Sequence, residues 1–304
     1  MNGEPTLRFD GLVAVVTGAG RGLGREHARL LAARGAAVVV NDRAHSDDAA
    51  ELVDEIVEAG GRAVAHEADV AEPGAAAAVV QSALATFGRI DAVIANAGVL
   101  RSAELADTDD ALWDEVLGVN LRGAFATARE AWPSMMEQGS GRIVFTTSNS
   151  GLLGVPGSSA YAASKAALWG LTRVLALEGA EHGIGVNAIA PIAFTAMSAA
   201  SRAAPESWRT GEGDAWAERL APEQIAPVVG WLVHPECTLN GEVLSVAGGR
   251  VARFFLGLTP GVVEDALTVE SVRAHEEDIL REDGYEVFVR AAHEATQLHR
   301  RVMR

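Results

Sequence analysis

Ser148, Tyr161 and Lys165 place a hydroxyl, a phenol and an ammonium in one short stretch. Tyr161 and Lys165 are four residues apart, so on a helix they share a face. Ser148 stands thirteen residues before the tyrosine, where the apolar run Ile143, Val144, Phe145 should end as a strand. A phenol near pKa ~10 is a poor base at neutral pH. A neighbouring ammonium favours the phenolate, so Lys165 is expected to lower the pKa of Tyr161. Ser148 is then placed to hydrogen-bond an alcohol or carbonyl oxygen. Asn120 is a fourth polar candidate, in a helical stretch otherwise apolar on that side (Val116, Leu117, Val119, Phe125). A backbone kink there, holding a water, would relay protons. The plainer readings are a surface Tyr–Lys pair and an exposed asparagine.

Those groups need elements to position them, and the chain supplies an alternation of strand and helix. Residues 12–17 read as a short, β-branched, buried strand between Gly11 and Gly18. Further strands are expected at 38–40, 63–68, 92–95, 142–147, 185–190 and 241–246. Helical patterns fill the intervals: up to Arg34, then 47–59, 75–87, 109–137, 161–179 and 222–233. This order predicts an α/β chain with a doubly wound parallel sheet. Gly18, Asp42, Asp69, Asn96, Ser148 and Pro191 each follow the carboxyl end of a predicted strand. In open α/β sheets that edge is where ligands bind. Residues 251–304 are charged and amphipathic and leave the rhythm. They are expected to be a mostly helical C-terminal extension of one domain spanning 1–250, not a second domain.

Gly18, Gly22 and Gly24 lie between the first strand and the first helix. Glycine lets a backbone turn tightly and approach a pyrophosphate, which free amides and a helix N-terminus stabilise. Leu23 breaks the Gly-x-Gly-x-x-Gly fingerprint, and no Gly-Lys-Ser/Thr follows, so this is not a P-loop either. Asp42, 24 residues after Gly18, can bond both ribose hydroxyls of an adenosine and repel a 2′-phosphate, which favours NAD over NADP. Arg21 and Arg43 pull the other way, since either can meet a phosphate. Asp69 and Val70 would flank the adenine, and Asn96, Ala97 and Gly98 would leave room for the middle of the cofactor. A cationic nicotinamide beside Tyr161 would further favour the phenolate.

Composition excludes several classes. The net charge is −16, with 41 acidic against 25 basic residues, which argues against nucleic acid or an anionic membrane as partner. Cys237 is the single cysteine, so no internal disulfide forms, which fits a reducing compartment. The first ten residues are polar and no run approaches the ~18 apolar residues of a membrane span. A cytoplasmic protein is expected. The histidines are scattered, and His275-Glu276 and His293-Glu294 lack the second histidine of a zinc motif, so no metal is implied. Ser148 has no Gly-x-Ser-x-Gly frame, which argues against a hydrolase triad.

Thr17, Gly18, Gly22 and Gly24 meet the pattern Thr-Gly-x-x-x-Gly-x-Gly, residues 96–98 read Asn-Ala-Gly, and Asn120, Ser148, Tyr161 and Lys165 form an Asn-Ser-Tyr-Lys set. Together they resemble the short-chain dehydrogenase/reductase family over residues 8–250. The resemblance implies a Rossmann-type domain with a seven-stranded parallel sheet and hydride transfer between NAD(P) and an alcohol/ketone pair. It implies Tyr161 as acid/base in a tetrad with Asn120, Ser148 and Lys165. It adds Arg21, Leu23, Tyr161, Lys165, Pro191 and Thr195 as cofactor contacts, and a homodimer or homotetramer. Within the family, residues 38–42, 129–133, 175–180, 187–193 and 220–229 resemble the (3R)-hydroxyacyl-CoA dehydrogenase module of peroxisomal multifunctional enzyme type 2 and its stand-alone bacterial relatives. Three positions depart from that pattern. Arg43 leads straight into Ala44, without the group's usual insertion. Ser158 stands where the group has Gln. Pro191 is followed by Ile192 where the wider family has Gly.

Residues 192–221, joining the sixth strand to the next helix, are expected to form a lid over a small-molecule substrate. Trp208 and Trp216 there suit a bulky apolar substrate, and Arg202 and Arg209 suit CoA phosphates; packing and solvated surface are the plainer readings. The leading expectation is an NAD-dependent 3-hydroxyacyl-CoA dehydrogenase acting on a fatty or steroid side chain. The alternatives are a hydroxysteroid or other secondary-alcohol dehydrogenase without CoA, and a catalytically silent NAD-binding sensor. The intact tetrad counts against the last.

Overall fold

The computed structural model describes residues 6–43, 47–199 and 219–302. It divides into two compact units, one reaching Arg253 and one starting at Phe254. The predicted lid residues Arg202, Trp208, Arg209 and Trp216 lie outside the described residues.

The first unit is built on its β-branched runs. Strands β1 (Val13–Thr17) and β4 (Ala92–Ala95) are buried along their whole length, and β2 (Ala37–Asp42) is buried up to its last residue. Burying each Val side chain contributes about 1.5–3 kcal/mol, which favours a sheet covered on both faces. With β3 (Arg62–Glu67), β5 (Gly141–Thr146), β6 (Ile184–Pro191), β7 (Val243–Ala247) and β8 (Arg250–Phe254), the order is β3-β2-β1-β4-β5-β6-β7-β8. The pairs from β3 through β7 are parallel. Val15 on β1 pairs with Val39 on one side and Val93 on the other. The chain therefore runs outward from β1 to β3 and returns across β1 to β4. The loops after β1 and β4 diverge and leave a crevice at the carboxyl edge.

The expected seven strands are eight. Gly248 and Gly249 have φ of 55° and 84°, the two positive values of a two-residue hairpin turn, so β8 folds back antiparallel on β7 and extends the sheet past residue 250.

Helix α1 (Gly22–Ala33) covers one face of the sheet. Its Ala28 and Leu31 share a core with Val16, Val38, Ile94, Val144 and Ile189. Helices α2 (Asp48–Glu58) and α3 (Ala75–Phe87) complete the first half. The helical stretch expected at 109–137 is two joined helices, α4 (Asp110–Leu117) and α5 (Ala124–Gln138), with a π-helical turn between them at Gly118–Gly123. A Cβ on Gly123 would lie 2.7 Å from Val70 Cγ2, so glycine is what lets this turn seat against the loop after β3. A short α6 (Ser150–Leu153) precedes α7 (Ser159–Gly179), which packs on β6 and β5. Short α8 (Ala196–Ala199) follows β6, and α9 (Ala226–Val233) packs on α1.

The second unit holds α10 (Val269–Ala274), α11 (Glu276–Leu280) and α12 (Ala291–Val302). Thr268 starts α10 with a reciprocal capping box to Ser271. An isolated antiparallel bridge joins Leu258 to Glu286, and Phe255 stacks on Tyr285 with ring centroids 5.7 Å apart.

Candidate active site

A cleft of about 630 Å³ follows the carboxyl edge of the sheet. Its wall brings together Gly18, Arg21, Gly22, Leu23, Asp42 and Arg43 from the β1 and β2 ends. Asp69, Val70, Asn96, Ala97 and Gly98 follow from β3 and β4, and Ser148, Tyr161, Lys165, Pro191 and Thr195 from β5 onward. Two predicted residues, Gly24 and Asn120, sit behind this wall and do not line it.

The glycine loop is tight for specific reasons. Gly18 and Gly22 have φ of 61° and 57°, in the left-handed region. A Cβ on Gly18 would lie 2.8 Å from Ala97 Cα, and one on Gly24 would lie 2.2 Å from Gly18 O. Gly24 thus lets the first turn of α1 close against the loop. The Asn96 side-chain amide donates to Thr17 O and Gly18 O, both at 3.0 Å, and Thr17 Oγ1 accepts from the amides of Asn96 and Ala97, both at 3.1 Å. The Asn-Ala-Gly turn therefore clamps the loop after β1 as well as bordering the cleft. Asp42 also does two things. Its Oδ2 accepts from the Gly20 amide at 2.8 Å and its Oδ1 from the Arg43 amide at 2.8 Å, while the residue faces the cleft. Gly20 was not singled out from sequence; the close approach of Asp42 explains it, since a Cβ there would lie 2.8 Å from Oδ2. Asp69 Oδ1 accepts from the Ala71 amide at 2.9 Å and turns the chain beneath buried Val70.

On the other side of the cleft, α7 carries Tyr161 and Lys165 one turn apart. Lys165 is buried, with Nζ donating to Thr146 O at 2.7 Å and lying 5.7 Å from the centroid of the Tyr161 ring. Its burial pulls the ammonium down from 10.5 to about 8. The expectation that Lys165 lowers the Tyr161 phenol is not met as a net shift. Burial pushes that phenol above its ordinary value, and a hydrogen bond with Ser148 opposes the shift in part. Desolvation by burial is the larger of the two effects. The Ser148 hydroxyl accepts from the Ser150 amide at 3.1 Å and contacts Asn149 Oδ1 at 3.3 Å.

Asn120 is fully buried in the π-helical turn. Its Oδ1 accepts from the Val99 amide at 2.7 Å, and its Nδ2 donates to Val99 O at 3.0 Å and Ser164 Oγ at 3.1 Å. Ser164 in turn donates to Tyr161 O at 2.7 Å. The expected kink is present, and the side chain holds the loop after β4 to the Tyr161 turn of α7. A Cβ on Gly98 would lie 3.3 Å from Asn120 Oδ1 and 3.6 Å from Lys165 Nζ, so this glycine keeps the two groups close together.

Sequence reading missed Thr146 and Asn41 on the wall. Buried Asn41 ties β2 to β3 through His66 O and Ala68 O, both at 3.0 Å. The departure at Ser158 is a buried wall residue whose hydroxyl donates to Val155 O at 2.6 Å. The wall also carries the apolar residues Val99, Leu100, Val155, Pro156, Ile192 and Met197.

These residues fit a dinucleotide. The left-handed glycines open a helix whose first turn has no side-chain cap, so its leading amides can meet an anion. A carboxylate stands at the end of β2, and Thr146 Oγ1 is a buried polar atom with no partner among the described residues. The described residues include no cluster suited to a metal ion and no helix long and apolar enough to cross a membrane.

Residues 12–206 match the family described as short chain dehydrogenase. The chain is 45% identical over 252 residues to a short-chain type dehydrogenase/reductase of Mycobacterium tuberculosis, covering 80% of this chain and 85% of the relative. It is 39% identical to a hydroxyacyl-CoA dehydrogenase of the same organism, covering 81% and 80%. It is 41% identical to peroxisomal multifunctional enzyme type 2 of Drosophila melanogaster, covering 88% of this chain but only 45% of that enzyme. The full-length structure of that enzyme superposes with a TM-score of 0.82 at 34% identity, over 98% of this chain and 50% of the other. The glycine loop, the sheet order and these matches agree: the chain belongs to the short-chain dehydrogenase family, oxidoreductases that act on CH–OH donors with nicotinamide nucleotides.

Proposed function

We propose that the chain is an NAD-dependent dehydrogenase that interconverts a secondary alcohol and a ketone, and that its substrate is a 3-hydroxyacyl-CoA. The observation that carries the chemistry is the meeting of Ser148, Tyr161 and Lys165 across one cleft from the glycine loop. When bound, the nicotinamide cofactor supplies the hydride acceptor. Tyr161 takes the proton of the alcohol oxygen as the hydride leaves its carbon, and returns it in the reverse direction. Ser148 holds that oxygen and stabilises the phenolate through the hydrogen bond that opposes the burial of the phenol. Lys165, fixed by Thr146 O, places positive charge beside the ring and favours the phenolate once solvent is excluded. Asn120 keeps the Tyr161 turn in register with the loop after β4.

Asp42 supports NAD over NADP, since a 2′-phosphate would meet a carboxylate already held by two amides. The apolar residues of the cleft wall support a lipid-like acyl group, and the hydroxyacyl-CoA dehydrogenase relative supports the thioester. Ser158 favours a second reading, a free secondary alcohol such as a hydroxysteroid, because it stands on the cleft wall where the hydroxyacyl-CoA group has Gln. The reading also carries a homodimer or homotetramer, checked by light scattering. Nicotinamide absorbance with NAD or NADP and a panel of 3-hydroxyacyl-CoAs and free alcohols decides among these. Tyr161→Phe should lose about 10³-fold in kcat while NADH binding stays within about twofold. Unchanged turnover in that variant would refute Tyr161 as the acid/base.

A further inference from the structure

The hydroxyl of Thr146 is an energetic debt within the cleft wall. The residue is 6% exposed, and its Oγ1 is shut from solvent with no hydrogen-bond partner among the described residues. Its neighbours are different. Thr147 Oγ1 donates to Lys165 O at 2.6 Å, and Thr195 Oγ1 accepts from the Ser198 amide at 3.2 Å. A buried polar atom left unpaired costs more than a hydrogen bond contributes, so such an atom on a functional wall asks for a ligand.

Strand geometry says which ligand. Thr146 ends β5 and pairs with Ile189 on β6, one residue beyond the Ala95–Phe145 pair that ends the β4 ladder. Strand side chains alternate, so Thr146 shares a face with Val144. Val144 packs in the core that contains Ala28 and Leu31 of α1. Thr146 therefore rises from the face on which the glycine loop and α1 sit, opposite the face on which α7 packs. It is also at the Lys165 end of the cleft, because its carbonyl anchors Nζ. That position belongs to the part of a dinucleotide nearest Tyr161, not to its adenosine at Asp42.

Resting on the reading that this cleft holds a nicotinamide dinucleotide, we infer that Thr146 is a cofactor-positioning residue whose hydroxyl pairs with a polar atom of the nicotinamide riboside half. The backbone carbonyl holds Lys165 and the side chain holds the cofactor, so one residue sets the spacing between them.

The test uses the full chain with Thr146→Val, which keeps shape and β-branching, and Thr146→Ser, which keeps the hydroxyl. NADH and ADP are titrated by calorimetry, and thermal unfolding is recorded without ligand. Thr146→Val should bind NADH about tenfold more weakly and ADP unchanged, while its ligand-free melting temperature rises by about 2–4 °C because the unpaired hydroxyl is gone. Thr146→Ser should restore NADH affinity. A purely structural hydroxyl would lower the melting temperature and leave NADH alone, and that result overturns the assignment. Equal weakening of NADH and ADP also overturns it, since the contact would not be confined to the nicotinamide half. If the unaltered chain binds neither probe, the dinucleotide reading itself fails, and the failure is distinguishable from that of Thr146.

Discussion

Replacing Lys165 by methionine should change how folding stability depends on pH, in a direction the burial of this group sets. In the folded chain the ammonium is pulled from 10.5 down to about 8 by desolvation. Between those values the unfolded chain binds more protons than the folded chain, so stability rises with pH through that window. Below about pH 8 both states carry the charge and the full cost of burying it is present. A shift of this size corresponds to about 3 kcal/mol. Lys165 is only 3% exposed, so little of that is lost to solvent screening. Methionine keeps most of the stem and removes the charge, but it leaves Thr146 O without the 2.7 Å bond from Nζ. That loss costs about 1–3 kcal/mol at any pH. The two effects nearly offset near neutrality, so a single measurement there decides nothing. The difference between the two proteins does decide: the original chain should gain about 3 kcal/mol on the methionine variant between about pH 7 and pH 10.5. Urea unfolding followed by circular dichroism at several pH values in that range reads this directly. Parallel stability curves would mean that Lys165 is not desolvated in the folded chain, and the electrostatic account of the Tyr161 site would fall with it.

Three further changes have defined outcomes. Asp42→Asn keeps an oxygen for the Gly20 amide, 2.8 Å from Oδ2, and removes the charge; the ratio of NADP to NAD use should rise by about tenfold or more, read as kcat/KM for each cofactor, and an unchanged ratio would show that Arg21 and Arg43 already control the choice. Gly18→Ala forces a side chain into φ 61° with its Cβ 2.8 Å from Ala97 Cα, so NADH affinity should drop by at least about tenfold and the melting temperature should fall; titration and calorimetry check both. His27 is wholly buried on α1 with neither ring nitrogen partnered among the described residues, and desolvation lowers its pKa from 6.5 to about 3. Stability should be complete above about pH 6.5 and fall as pH drops, by about 3 kcal/mol near pH 4.5, and His27→Leu should flatten that slope in urea titrations.

How far a sequence can reach into such a site depends on the kind of fact each position carries. Spacing is written in the chain. Tyr161 and Lys165 four apart on a helix, glycines between a strand and a helix, and an acid at the next strand end all survive as geometry because period and order determine them. β8 was missed although its signal was present. Gly248-Gly249 between two short runs is a hairpin mark, but Arg250-Val-Ala-Arg-Phe is too charged to stand out as a strand. Partnership is not written in the same way. Asp42 reads as a cofactor carboxylate, yet it also holds Gly20, and the plainer reading of Asn120 is an exposed side chain, yet it is buried and bonds Val99 and Ser164.

Tyr161 shows where this boundary lies. The sequence names both the phenol and the ammonium, and a pairwise argument then lowers the phenol's pKa. The sign is opposite because burial desolvates the phenol, and because its hydrogen bond with Ser148 offsets only part of that cost. Neither cause is a property of the pair. Burial is a sum over the elements that form the cleft wall, and Ser148 stands outside the Tyr-x-x-x-Lys spacing. In the mechanism proposed above, activation of Tyr161 therefore needs more than the Tyr-x-x-x-Lys spacing: a cationic nicotinamide beside the ring would add to the charge of Lys165 and favour the phenolate against its burial.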